Sequence, residues 1–155
     1  MSIFGWARGW ARRTTEMRVT LSDEARRYIG RFDELTGVAP QDCLVEGTRL
    51  VFLIPIGQMG EAIGPDGHTV ERAEDRLGAN IELVGNADTP ERFVESALAP
   101  AAVRGVTISE QNDTVAYVEV DEADRGVAIG NDGQNIDTAR QLANRHFDID
   151  NIELT

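Results

Sequence analysis

Hydrophobic positions recur along the chain with alternating helical and strand spacing, and the order of the elements repeats. Ala25, Tyr28, Ile29 and Phe32 share one helical face, which predicts a helix over Asp23–Thr36 with Ser22 as its cap, acids in its first turn and Gly37 as its stop. Strands at Asp42–Val45 and Leu50–Ile54 flank the turn Glu46-Gly47-Thr48, and Pro55 closes the second of them. A short helix near Gln58–Ile63, the glycine loop Gly64-Pro65-Asp66-Gly67, a helix over His68–Leu77 stopped by Gly78 and a strand near Ile81–Val84 complete a unit.

The same order starts again at Thr89, which can cap a helix opening at Pro90 and running to about Ala99. Strands at Val103–Ser109 and Thr114–Val120 follow, then a short helix, the loop Gly130-Asn131-Asp132-Gly133, a helix to about Arg145 and a strand at Asn151–Leu154. The repeat is literal around the loops. Gly60, Ala62, Ile63, Gly64, Asp66 and Gly67 recur 66 residues later as Gly126, Ala128, Ile129, Gly130, Asp132 and Gly133. Val70, Ala73 and Leu77 map onto Ile136, Ala139 and Ala143, the same stripe in both helices. The expected organisation is an N-terminal extension over 1–16, expected to be disordered, a first domain over 17–86 and a second over 87–155. Trp6, Trp10, Arg8, Arg12 and Arg13 give that extension a basic, aromatic character that could touch RNA or a partner.

Composition then narrows the chemistry. Twenty-seven acids stand against 15 basic residues, a net charge of -12, and every basic residue is arginine. Without lysine there is no Schiff base, no Lys–Ser dyad and no phosphate-loop lysine. One cysteine and two histidines exclude an internal disulfide and make a protein-built metal site unconvincing, so Cys43 reads as a small buried residue. No apolar run reaches a membrane span and no signal-peptide pattern is present, which predicts a cytoplasmic protein with no membrane partner. The acidic excess fits a salt-filled cytoplasm, where screening within about 3 Å makes self-repulsion cheap.

The paired loops carry the functional reading. A G-x-x-G loop turns sharply and lets a sugar-phosphate chain approach without meeting a Cβ atom, and the following helix points its N–H groups toward it. Ile63 and Ile129, just before the loops, can form floors for bases. One such loop is weak; two, each after a two-strand pattern and before a periodic helix, are strong.

The segments Ala62–Gly67, Val115–Asp121, Asp124–Ile136 and Arg145–Asp150 resemble the archaeal NusA-like transcription factor family, and the likeness covers about Met17–Thr155. The resemblance implies an α+β fold of two tandem prokaryotic-type (type II) KH domains, each a three-stranded sheet packed by helices, in a protein from a halophile. It also implies single-stranded RNA and RNA polymerase as partners and action on nascent RNA during elongation and termination. From the residues themselves no enzyme activity and no cofactor are expected, since no paired acid and base, nucleophile or metal set emerges. The residues expected at RNA are Ile63, Gly64, Pro65, Asp66, Gly67 and Arg72 in the first copy. In the second they are Arg125, Ile129, Gly130, Asn131, Asp132, Gly133, Gln134, Asn135 and Arg140. The loops depart from the family in lacking Lys or Arg at their middle positions. Pro65 also lacks an N–H, so the second loop, followed by the amides of Gln134 and Asn135, reads as the better site. The acidic clusters Asp121-Glu122-Asp124 and Asp148-Asp150 lack a calcium-loop pattern and read as solvated. Two competitors are a ribosome-assembly or translation-associated KH protein, and an acidic module docking on polymerase with vestigial RNA loops. A monomer is expected.

The charge makes a direct prediction about folding. Melting temperature is expected to climb from dilute buffer to molar KCl as screening relieves self-repulsion. A flat or falling curve rejects salt adaptation as the meaning of the composition.

Overall fold

A computed structural model describes residues 21–155, so the expectations for 1–16 and for Met17 to Thr20 lie outside the described residues. These residues divide into two compact units at the Thr89–Pro90 junction. In the first, α1 (Asp23–Thr36) begins where the Ser22 hydroxyl accepts a hydrogen bond from the Ala25 N–H at 3.0 Å, a cap worth about 1 kcal/mol. Gly37 ends it in the left-handed region, φ 80°, with its N–H on the Asp33 carbonyl. Strands β1 (Asp42–Glu46) and β2 (Arg49–Ile54) form an antiparallel hairpin in register Asp42↔Leu53. At its turn Arg49 bridges Glu46 and Glu82.

Strand β3 (Asn80–Gly85) then pairs parallel to β2, Arg49 opposite Asn80, giving sheet order β1-β2-β3. A parallel return needs a crossover rather than a tight turn. The crossover consists of α2 (Met59–Ile63), the Gly64–Gly67 loop and α3 (His68–Leu77). Strand β2 is central, and every residue from Leu50 to Ile54 is buried. This explains its unbroken apolar run, since alternation is lost when both faces are covered. Phe32 of α1 packs on Phe52 of β2 with ring centroids 4.5 Å apart, and Ala25, Val38, Cys43, Ala62 and Ala73 surround them. An aromatic pair of this kind adds about 0.5–1.5 kcal/mol to the burial of its surface.

The second unit repeats the plan with α4 (Pro90–Ala97), β4 (Val103–Ser109), β5 (Val115–Val120), α5 (Glu122–Ile129), the Gly130–Gly133 loop, α6 (Gln134–Phe147) and β6 (Asn151–Leu154). Strands β4 and β5 are antiparallel with a bulge between Val103 and Gly105, and β6 lies parallel to β5. Helix α4 stops two residues earlier than its pattern suggests; Ala99 precedes Pro100, and a residue before proline is disfavoured in the helical region. Helix α6 runs two residues further, to Phe147, because Asp148 supplies a left-handed cap at φ 56° in place of a glycine. Phe147 thereby reaches Phe93 of α4, ring centroids 4.8 Å apart. The acidic clusters are not merely solvated. Asp121 forms an ion pair with Arg104 at 2.7 Å, and Asp150 accepts the Thr114 N–H at 2.8 Å. Among the described residues no helix is long and apolar enough to cross a membrane.

Burial pushes the Cys43 thiol up to about 12, with the Asp42 and Glu24 carboxylates adding to the effect. The raised value means that its contribution to stability is complete below the ordinary 9.0 and is lost as pH climbs toward about 12. A thiol reagent at pH 8 is expected to modify Cys43 only upon unfolding, and Cys43→Ala should flatten the alkaline fall in stability. Rapid labelling of the native protein contradicts this burial.

Candidate nucleic-acid interface

The two loops adopt one backbone shape. Gly64, Asp66 and Gly67 have φ of 78°, 53° and 74°; Gly130, Asp132 and Gly133 have 81°, 53° and 75°. Each is a turn closed by its last residue, Gly67 N–H to the Gly64 carbonyl at 3.1 Å and Gly133 N–H to the Gly130 carbonyl at 3.2 Å. The third position must therefore take a positive φ, which costs most L-residues about 1–2 kcal/mol and is tolerated best by Asn and Asp after glycine. Asp66 and Asp132 answer a backbone requirement as much as an electrostatic one.

The two glycines of each loop have different reasons to be glycine. A Cβ on Gly64 would lie 2.0 Å from Thr69 Oγ1, and one on Gly130 would lie 2.8 Å from both Cβ and N of Asn135. These first glycines let the following helix close against its own loop. A Cβ on Gly67 meets nothing within 4 Å, and one on Gly133 meets Asp137 Oδ2 at 3.6 Å. The second glycine of each loop thus borders open space. Gly60 and Gly126 also recur, but nothing in the structure requires glycine there.

The second unit adds a groove of about 400 Å³ beside its loop. Ile129, Ile136 and Leu154 supply its apolar walls, Arg125, Arg140, Asp137 and Glu153 its charges, and Gly133 its mouth. Four expected residues, Arg125, Ile129, Gly133 and Arg140, thus line one cavity. Arg140 is held by two hydrogen bonds to the Ile152 carbonyl, 2.9 and 3.2 Å, and by Asp137 at 3.3 Å, so one face of its planar guanidinium has a fixed direction. Arg125 reaches the Thr155 carbonyl at 3.4 Å. Ile63 and Ile129 are each 38% exposed at the ends of α2 and α5, a large exposure for isoleucine. Asn131, Asp132 and Gln134 are exposed around the second loop, while Pro65 and Asp66 are exposed at the first.

Two expected residues have other engagements. The Asn135 amide turns inward and donates to the carbonyls of Ala128, Leu98 and Val127 at 3.1, 3.3 and 3.4 Å, so it locks the end of α5 to α6 rather than offering its N–H groups outward. Arg72 donates to the Leu35 carbonyl at 2.6 Å from an exposed position. Ile136, Asp137, Glu153 and Leu154 were not expected at the interface. The one signal for Asp137 is its place one turn beyond Gly133 on the helix; for the strand residues there is none without the parallel register.

Residues 90–155 match the family described as NusA-like second KH domain. A "Probable transcription termination protein NusA" of Halococcus morrhuae is 61% identical over 138 residues, covering 89% of this chain and 99% of that one. The chain belongs to the NusA family. The namesake of Halobacterium salinarum is 52% identical over 139 residues, 90% of this chain and all of that one, so NusA relatives from salt-loving archaea are matched along essentially their full length. A solved structure titled "Crystal structure of APE1850" superimposes with a TM-score of 0.76 at 31% identity, covering 87% of this chain and 100% of that one. The two three-stranded sheets packed by helices are the tandem KH domains of this NusA-family protein.

The contrast between the glycines predicts unequal mutational costs. Gly64→Ala and Gly130→Ala combine a strained φ with a steric clash and should each destabilise by roughly 2 kcal/mol or more. Gly67→Ala and Gly133→Ala meet only the conformational penalty, about 1 kcal/mol. Denaturant titration of the four variants checks this, and equal losses within a loop contradict the packing role of the first glycine.

Proposed function

We propose that this protein binds single-stranded nascent RNA and acts with RNA polymerase in transcription elongation and termination, as a cytoplasmic monomer and without catalysis. The observation that carries this reading is the groove beside Gly133, with apolar walls, an oriented Arg140 and an open second glycine, in a chain of the NusA family. A strand laid across the loop can pass its backbone over Gly133 and its bases onto Ile129, with Arg125 and Arg140 as stacking planes. Both middle residues of the second loop, Asn131 and Asp132, carry a backbone N–H that can donate to a phosphate, and the exposed Gln134 amide follows them. In the first unit Pro65 has no N–H to offer at the matching place. The second loop is therefore the stronger site.

Such binding is not mainly ionic. Asp132 lies in the loop and Asp137 and Glu153 in the groove, so attraction from the arginines is offset and few counterions are released. Affinity for an RNA of about four nucleotides, enough to fill one groove, should stay nearly constant from roughly 0.5 to 2 M KCl, far shallower than the -0.7 slope expected for each phosphate contact. Gly133→Asp should weaken binding more than Gly67→Asp, because it places a second carboxylate beside Asp137. A steep loss of affinity with the fold intact, or a larger effect at Gly67, contradicts this account. Crosslinking in the native cytoplasm tests the assignment to transcription: enrichment on nascent transcripts supports it, and enrichment confined to ribosomal RNA precursors transfers the protein to ribosome assembly.

A further inference from the structure

The first unit carries a cluster of arginines that, among the described residues, no carboxylate pairs with. With acids in large excess, arginines are expected to find carboxylates, and Arg26, Arg49, Arg104 and Arg140 do so. Arg27, Arg31, Arg72 and Arg76, among the described residues, make no ion pair, and all four are exposed. They lie together. Arg31 on α1 donates to the carbonyl of Arg76 on α3 at 3.2 Å, and Arg72 on α3 donates to the carbonyl of Leu35 on α1 at 2.6 Å. These reciprocal bonds set the two helices antiparallel along a seam, with Arg27 one turn before Arg31 and Arg72 one turn before Arg76. They also fix two guanidiniums in place before any ligand arrives. On α3 the stripe continues through His68, the exposed first residue after Gly67.

We propose that this seam is a second polyanion site: the sugar-phosphate backbone of an RNA strand that meets the Gly64–Gly67 loop continues over His68 and is gripped by Arg72, Arg76, Arg31 and Arg27. Planar guanidiniums pair with phosphate oxygens in bidentate fashion, and contact-range pairs of this kind outlast the screening that removes longer-range attraction. Asp23, Glu24, Glu34, Glu71 and Asp75 flank the seam by helical spacing, which limits it to direct contacts. The seam supplies the first unit with phosphate contacts that Pro65 denies its loop. This inference rests on the RNA-binding reading above.

The test uses the full chain with Arg27→Gln and Arg76→Gln combined, since these two guanidiniums hold no backbone carbonyl. Oligouridines of roughly four and sixteen nucleotides are titrated across KCl concentrations, with melting followed in parallel. The wild type should bind the longer strand more tightly and with the steeper salt dependence. The double variant should lose that advantage several-fold near 0.5 M KCl, with the slope shallower by about 1.4 for two lost contacts, an unchanged melting temperature and unchanged affinity for the short strand. Arg27→Lys with Arg76→Lys should keep most of the slope. A double variant that matches the wild type on the long strand overturns the seam while leaving the groove reading intact, and an acidic protein captured by the wild type but not by that variant reassigns the seam to a protein partner. Failure of the wild type to bind either strand overturns both readings.

Discussion

A parallel pair of strands cannot be joined by a tight turn, because the chain leaves one strand at the wrong end to begin the next. Both halves of this protein pair their last strand parallel to their middle one, β3 to β2 and β6 to β5. The chain must therefore cross the sheet between them, and the crossover is the helix–loop–helix that contains the glycines. The short first helix buries Ala62 or Ala128, and the second buries Ala73 or Ala139. The loop between them is left at the surface, with its preceding isoleucine only partly covered. The exposed apolar residue, the open glycine and the start of a helix meet in one place because the sheet demands the crossing.

Close packing shapes the loop from within. Each first glycine admits a helix backbone or side chain at a distance no Cβ could allow, so the loop is pinned from below by Thr69 or Asn135. In the second unit the Asn135 amide adds three backbone contacts, and Arg140 is anchored to the last strand. A groove whose walls are held this way pays little ordering entropy on binding. That matters for an acidic protein in strong salt, where long-range attraction contributes little and preorganised short-range contacts must carry recognition.

Charge is distributed with the same logic. Most arginines whose contacts are described are committed to carboxylates or to backbone carbonyls, where they support the fold in a medium that weakens every exposed pair. Acids dominate the remaining surface and enter even the loops. At Asp66 and Asp132 a left-handed backbone selects a small polar residue, so solubility, turn geometry and surface charge are satisfied by one side chain.

The order of elements, the repeat and the positions of the loops were all legible in the sequence, because these are local properties: helical and alternating periods, caps and glycine breaks are written within a few residues. Ser22, Gly37 and Gly78 mark helix ends in the chain as they do in the fold. Family membership was equally legible, from the loop and flanking segments. The chain alone did not reveal which glycine packs inward, that Asn135 turns away from the surface, that Arg104 would take Asp121, or that Glu153 and Leu154 would stand beside Gly133. Nor did it bring Arg27 and Arg31 to Arg72 and Arg76. Each of these depends on which residues lie opposite one another across a sheet or between helices far apart in sequence, and that register is set only when the whole core closes.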